Sequence, residues 1–269
     1  MLVAACQVAP TIDAPDHAQL TAAVRAAAGR GARLVVLPEL ATSGYELRDA
    51  AEAMAAAEVD RATVALLQEL SVELGCVLVA GIAERSGEVV HNSAVVVDGG
   101  EVLARYRKVH LWGREPELFR AGAAPPAVVD TAAGRIGVMI CYDLEFPEWV
   151  RMAADAGAEI VAVPANWPLL AVPPGQLPLE VVKAQAAAGA YRVHVVVADR
   201  WGVERGTDWI GGSLICGADG YLRAGPATPP GATAAAVVLI ADLDVAGARD
   251  KALGSHNHAV HDRRPDLYR

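Results

Sequence analysis

Three side chains with reactive chemistry each stand just beyond an apolar run. Glu39 follows Leu34-Val35-Val36-Leu37-Pro38, Lys108 follows Val102-Leu103-Ala104-Arg105-Tyr106-Arg107, and Cys141 ends Arg135-Ile136-Gly137-Val138-Met139-Ile140. Taken singly, each has an ordinary reading: strands commonly end in something polar, and a lone cysteine in an apolar run is usually a small packing group. Taken together they form a complete nucleophilic set. The attacking species is a thiolate, so the thiol needs a base or a positive neighbour. A carboxylate held in an apolar pocket has a raised pKa and can act as that base. An ammonium supplies positive charge to the sulfur and to an oxyanion developing on a substrate.

Such a set works only if strand ends bring it together. Residues 2–8 read as a short buried strand, and Asp16 as the cap of a helix with Leu20, Val24 and Ala27 on one face, stopped by Gly29 and Gly31. The run 34–37 is apolar on both sides, which fits a strand covered on both faces. A helix is expected over 59–74, closed by Gly75, then a strand over 76–82. Strands over 89–97 and 102–106 flank Asp98-Gly99-Gly100, a hairpin signal because glycine tolerates positive φ. Further strands are expected over 135–141, 159–163, 193–198 and 235–243, helices over 147–157 and 179–190, and a second hairpin of 213–216 with 221–224 around Asp219-Gly220. Alternating strands and helices with inserted hairpins exclude a simple all-parallel sheet or an eight-fold barrel. They fit an α/β architecture of mixed sheets with helices on the outer faces, where ligands bind beyond strand ends.

Composition narrows the function classes. The 269 residues are 54% hydrophobic and 20% charged, too apolar for a disordered chain and enough for a full core. A net charge of −9 without a basic run argues against nucleic acid. No apolar stretch approaches the roughly 20 residues a membrane helix needs, and the N-terminus lacks the basic start of a signal peptide. Cys6, Cys76, Cys141 and Cys216 are widely spaced with no CxxC, so reduced thiols in a cytoplasmic protein are expected. Loops at 122–126, 164–178 and 225–231 are too short for linkers. A single domain over 1–269 is expected, and no internal repeat is visible.

The text around the three residues is more specific. Leu37-Pro38-Glu39-Leu40, Tyr106-Arg107-Lys108-Val109-His110-Leu111, and Gly137-Val138-Met139-Ile140-Cys141-Tyr142-Asp143 with Glu145-Phe146-Pro147-Glu148 resemble the signatures of the nitrilase superfamily of carbon–nitrogen hydrolases. Arg263-Arg264-Pro265-Asp266-Leu267-Tyr268 is similar to that family's usual ending, and the resemblance starts at Ala5-Cys6-Gln7. It implies a four-layer α-β-β-α sandwich with Glu39 as general base, Lys108 stabilising the tetrahedral intermediate and Cys141 as nucleophile. It also implies a second glutamate near the lysine, Glu115 in preference to Glu117. The Tyr142 backbone N–H is then a second oxyanion donor. With two carboxylates beside it, Lys108 keeps its proton and is not the base. No metal or organic cofactor is implied. A homodimer or higher homo-oligomer is, with the 247–269 tail and outer helices as candidate contacts.

The substrate branch is also read by resemblance. True nitrilases of the family usually carry Cys-Trp-Glu where this chain has Cys141-Tyr142-Asp143, which favours an amidase. Pro164-Ala165-Asn166-Trp167-Pro168 resembles the loop of simple aliphatic amidases and places Asn166 and Trp167 in the pocket, with Trp112 and Trp209 as further wall candidates. The short stretch from Lys108 to Phe119 speaks against an N-carbamoyl amidase. The expected substrate is a small aliphatic carboxamide, an ω-amino one included, whose amine could meet Glu145, Asp143 or Asp208. Alternatives are a nitrilase, an N-carbamoyl amidase, or a catalytically silent binding member. Many relatives show Arg-Ala-x-Glu-Asn and then Asn-Arg before a glycine, where this chain has Ala187-Ala188-Gly189-Ala190-Tyr191 and Asp199-Arg200-Trp201-Gly202. His110 is expected to orient the lysine loop, Gly211-Gly212-Ser213 to open a strand beside the pocket, and Cys6, Cys76 and Cys216 to pack. The tail cluster His256, His258 and His261 is a weaker, zinc-binding alternative.

Overall fold

The computed structural model describes residues 1–15, 17–227 and 236–268. From the N-terminus the elements are β1 (Leu2–Gln7), α1 (His17–Gly29), β2 (Leu34–Val36), α2 (Ala50–Leu74), β3 (Val77–Ser86), β4 (Val89–Asp98), β5 (Glu101–Arg107) and the one-turn α3 (Glu115–Leu118). They continue with β6 (Ala127–Thr131), β7 (Gly134–Val138), a 3₁₀ turn (Cys141–Glu145), α4 (Pro147–Asp155), β8 (Ile160–Pro164) and α5 (Leu179–Tyr191). Then come β9 (His194–Ala198), β10 (Trp201–Glu204), β11 (Thr207–Ile210), β12 (Leu214–Cys216), β13 (Leu222–Ala224) and β14 (Val237–Asp242).

Two six-stranded mixed sheets result, ordered β14-β1-β2-β3-β4-β5 and β13-β12-β9-β8-β7-β6. In each, three adjacent parallel strands form the centre (β1-β2-β3 and β7-β8-β9), flanked by antiparallel neighbours. Alternation along the strands decides what each face covers. Val3, Ala5, Val36 and Val79 point into one cluster shared with Val138, Ala162 and Val196, so the sheets pack face to face. Ala4, Cys6, Val35 and Leu37 point the other way, onto Leu20 and Val24 of α1 and Leu67 and Leu70 of α2. Val150 of α4 and Val181, Ala184 and Ala188 of α5 cover the second sheet. This is the expected α-β-β-α layering. Each fully buried leucine such as Leu67 stabilises it by about 1.5–3 kcal/mol relative to exposure.

Several expectations are corrected. The second helix starts at Ala50, not 59, because Asp49 accepts from the Glu52 N–H at 3.0 Å and caps it. Its end is as expected, with Gly75 left-handed at φ 60. β7 stops at Val138, and Cys141 begins a 3₁₀ turn rather than ending a strand. β10 and β11 form a hairpin that was not expected, and β6 pairs with β7. The proposed cap Asp16 and the expected strand start at residue 235 lie outside the described residues. Among the described residues no helix is long and apolar enough to cross a membrane.

Candidate active site

Glu39 is carried one residue beyond Pro38, at the end of the loop leaving β2, and is fully buried. The next residue, Leu40, has a left-handed backbone (φ 47) that turns the chain away. The loop lies directly on β3: a β-carbon on Gly81 would sit 2.4 Å from the Glu39 Cα, so only glycine fits there. Lys108 follows β5 and is also fully buried, with its backbone N–H donating to Asn92 O at 2.8 Å. Its ammonium donates to Glu39 Oε1 and to Glu115 Oε1, both at 2.7 Å. Two of its three N–H groups are thus used. Glu115, at the start of α3, is buried, and its Oε2 accepts the Trp112 N–H at 2.8 Å. Glu117 is exposed and pairs with Arg114, so of the two glutamates only Glu115 joins the cluster.

Cys141 comes from the other sheet. Its backbone is left-handed (φ 47), unusual outside glycine, and this sharp turn separates the residue from β7. The thiol donates weakly to Asn166 O at 3.7 Å, and Asn166 Nδ2 donates to the Glu39 backbone carbonyl at 2.9 Å. Asn166 therefore ties the two sheets' loops together. Tyr142 N–H lies in the first turn of the 3₁₀ segment, where backbone donors lack partners within the helix.

Charge and burial set the protonation states. Burial, and secondarily the Glu115 charge, push Glu39 up to about 7 against the opposing pull of Lys108. Glu39 Oε2 is buried without a hydrogen-bond partner among the described residues. For Lys108 burial opposes the charge, but Glu115 and Glu39 outweigh it and hold the ammonium well above the ordinary lysine range. Burial, then the Glu39 charge, keep the Cys141 thiol well above its ordinary value. The sulfur therefore rests as a neutral thiol, not as the preformed thiolate that a neighbouring cation alone would favour.

A narrow cleft opens onto Cys141, with Trp112, Tyr142, Trp167 and Pro168 as its apolar walls and Glu145 and Glu180 as its carboxylates. Trp112 and Tyr142 meet edge-on at 4.9 Å. Trp167 is almost fully buried, and its backbone N–H donates to Asp199 Oδ1 at 2.9 Å. Asp199 also accepts from Arg200 and Gly212 N–H groups, and burial pushes it up to about 8. This aspartate, at the departure from the relatives' pattern, anchors the pocket wall. Gly212 lies under Trp167, as the expected pocket-side strand opening requires.

Other expectations fare unequally. Asp143 cannot meet a substrate amine: it is buried and accepts from Tyr106 OH at 2.8 Å, Ile140 N at 3.1 Å, and His110 N and Nδ1 at 2.9 and 2.7 Å. It pins the lysine loop to the cysteine turn, and His110 does orient that loop. Glu145 lies on the cleft but is already bonded to Lys183. Asp208 is exposed and is not among the cleft residues. Trp209 stacks edge-on with Tyr45 at 5.1 Å rather than lining the cleft. Cys6, Cys76 and Cys216 are buried in packing positions. His258 and His261 stack on each other, and no group of metal-ligating residues forms among the described residues.

Two residues of the cluster were not foreseen. Asn92 Nδ2 donates to Glu39 Oε1 at 2.7 Å and Glu115 Oε1 at 3.0 Å. Its signal was His91-Asn92-Ser93, three polar residues inside an otherwise apolar strand. Tyr45 OH donates to Glu115 Oε1 at 2.8 Å, and nothing in the local sequence marks it.

Known proteins resemble this chain over most of its length. The family described as carbon-nitrogen hydrolase matches residues 2–252. A protein named nitrilase from Pyrococcus abyssi is 34% identical over 270 residues, 99% of this chain and 98% of the relative. N-carbamoylputrescine amidase of Solanum tuberosum is 31% identical over 290 residues, 99% of this chain and 93% of the relative. Among solved structures, a mutant of the amidase from Nesterenkonia sp. AN1 in complex with butyramide superposes with TM-score 0.78 at 28% identity, over 99% of this chain and 95% of that one. Another mutant of that amidase carries the acetamide moiety of fluoroacetamide at its active site cysteine. With a family match over nearly its whole length, a nitrilase-type fold and full-length relatives above 30% identity, this chain belongs to the carbon–nitrogen hydrolases of the nitrilase superfamily.

Proposed function

We propose that the protein is a cysteine-dependent amidase that hydrolyses a small aliphatic carboxamide to a carboxylic acid and ammonia. One observation carries this reading: Glu39 has one oxygen on Lys108 and one buried oxygen with no hydrogen-bond partner among the described residues, and its charge acts on the Cys141 thiol, which stands on a sharp turn. Glu39 Oε2 takes the Cys141 proton as the sulfur attacks the amide carbon. The carbonyl oxygen becomes an oxyanion, met by the remaining Lys108 N–H and the Tyr142 backbone N–H; losing one such donor typically costs about 10²–10³ in rate. The intermediate collapses, the C–N bond breaks, and Glu39 returns its proton to the leaving nitrogen. Ammonia departs and a thioester remains on Cys141. Water then attacks the thioester, giving its proton to Glu39, and collapse releases the acid and restores the thiol. Glu115 and Asn92 act as positioning residues on the two charged partners. Trp112, Trp167 and Asn166 shape the pocket.

The similarity to an amidase solved with small amides favours amides over nitriles and carbamoyl compounds. The test is ammonia release from a panel of all three classes, repeated with Cys141→Ala. Turnover of small amides, lost in the variant, is expected. Turnover retained by the variant, or confined to nitriles or carbamoyl compounds, overturns the assignment. A homodimer or larger homo-oligomer using the 247–269 tail belongs to the same reading, and sedimentation measures it.

A further inference from the structure

Glu180 opens the first turn of α5 and faces the cleft that exposes Cys141. Its residue surface is only 9% exposed. No ion pair or hydrogen bond engages its carboxylate among the described residues, although 21 ion pairs form elsewhere. The other cleft carboxylate, Glu145, is bonded to Lys183, which therefore gives Glu180 no counter-charge. An acidic residue suits a helix N-terminus, but a solvated face of that turn would serve equally well. Its oxygens are not among the enclosed polar atoms, so the carboxylate is open to the cleft and has no counter-charge there. It lies beside the Trp112, Tyr142 and Trp167 side chains, none of which carries a positive charge.

We propose that Glu180 is a specificity-determining residue that takes the ammonium tail of an ω-amino carboxamide while Cys141 attacks the amide end. This rests on the amidase reading and deepens it. Trp112, Tyr142 and Trp167 enclose the methylene chain, and Glu180 replaces the water lost by the tail. The role falls to a residue distinct from Asp143, which is saturated, and from Asp208, which lies off the cleft.

The experiment compares kcat/KM for γ-aminobutyramide, neutral butyramide and negatively tailed succinamate, in the wild-type chain and in Glu180→Gln. The wild type is expected to prefer the ammonium tail by about tenfold or more and to reject the carboxylate tail. Glu180→Gln is expected to collapse the ammonium-to-neutral ratio by about tenfold, mainly through KM, with Glu180→Asp retaining part of it. A ratio unchanged by Glu180→Gln overturns the proposal while leaving the amidase reading intact. No turnover of any amide sinks the amidase reading itself. Calorimetry on Cys141→Ala then still decides the role of Glu180: tighter binding of γ-aminobutyramide than butyramide, lost on adding Glu180→Gln, supports it, and equal or absent binding of the two overturns it.

Discussion

At the floor of the cleft, one ammonium holds two carboxylates at 2.7 Å, and an asparagine and a tyrosine bond the same oxygens from β4 and the loop before α2. The cleft wall differs. Residues 165–178 form no helix or strand beyond the isolated bridge of Pro168 with Trp209, and they leave Leu169, Leu170 and Leu177 exposed. The wall is held at its start, by the Trp167 backbone N–H on Asp199, the Ile210 N–H on the Trp167 carbonyl, the Ala165 and Leu169 N–H groups on Ala198 O and Asp208 O, and Asn166 on the Glu39 carbonyl. The floor is over-determined, so a change there disturbs the chemistry for any substrate. The wall is held at one end, so a change there alters which substrate enters.

The sharpest break of this contrast is Cys141→Ala, expected to lower kcat by about 10⁴-fold or more for every amide tested. Lys108→Met is expected to match that loss and also to destabilise the fold by about 3–5 kcal/mol in denaturant titration, because two buried carboxylates lose their cation. Next comes Glu115→Gln, expected to reduce kcat by about 10²–10³-fold. It also carries a pH signature. In the proposed mechanism Glu39 must be ionised to accept the thiol proton, so kcat/KM is expected to fall as pH drops through about 7. Glu115's negative charge helps raise that value, so the variant's acidic limb moves to lower pH. A limb that stays in place would detach Glu39 from the profile. Gly81→Ala drives a methyl into the Glu39 backbone and is expected to cost about 1–3 kcal/mol of stability together with activity, measured by thermal unfolding and assay. The smallest effect is on the wall: Trp112→Ala should raise KM by about tenfold with a lesser change in kcat, since it removes one apolar contact face. If Trp112→Ala instead lowered kcat equally for all substrates, the division between floor and wall would fail.

Much of this was legible along the chain. The apolar runs before Glu39 and Lys108 are strands or strand approaches, and the Asp98-Gly99-Gly100 hairpin forms where its glycines allow it. What was illegible depended on partners far away in sequence. Tyr45 reaches Glu115 across 70 positions, and Gly81 matters only because Glu39 lies on it. The β10–β11 hairpin turns at Arg205-Gly206, with arginine at φ 47 where asparagine or aspartate would have signalled the turn. The early start of α2 was marked by Asp49 and Glu52, but the alanine-rich text around them blurred the boundary. The second sheet repeats the strand pattern of the first without any visible repeat in sequence, because buried parallel strands demand only apolar side chains.

Because Glu39, Asn92, Lys108 and Glu115 arrive with the first sheet and Cys141 and Asn166 with the second, neither layer alone carries a reactive centre. A half-folded chain exposing one layer has a thiol without its base, or a base without its thiol. On the proposed mechanism, the chemistry therefore requires both layers to be docked.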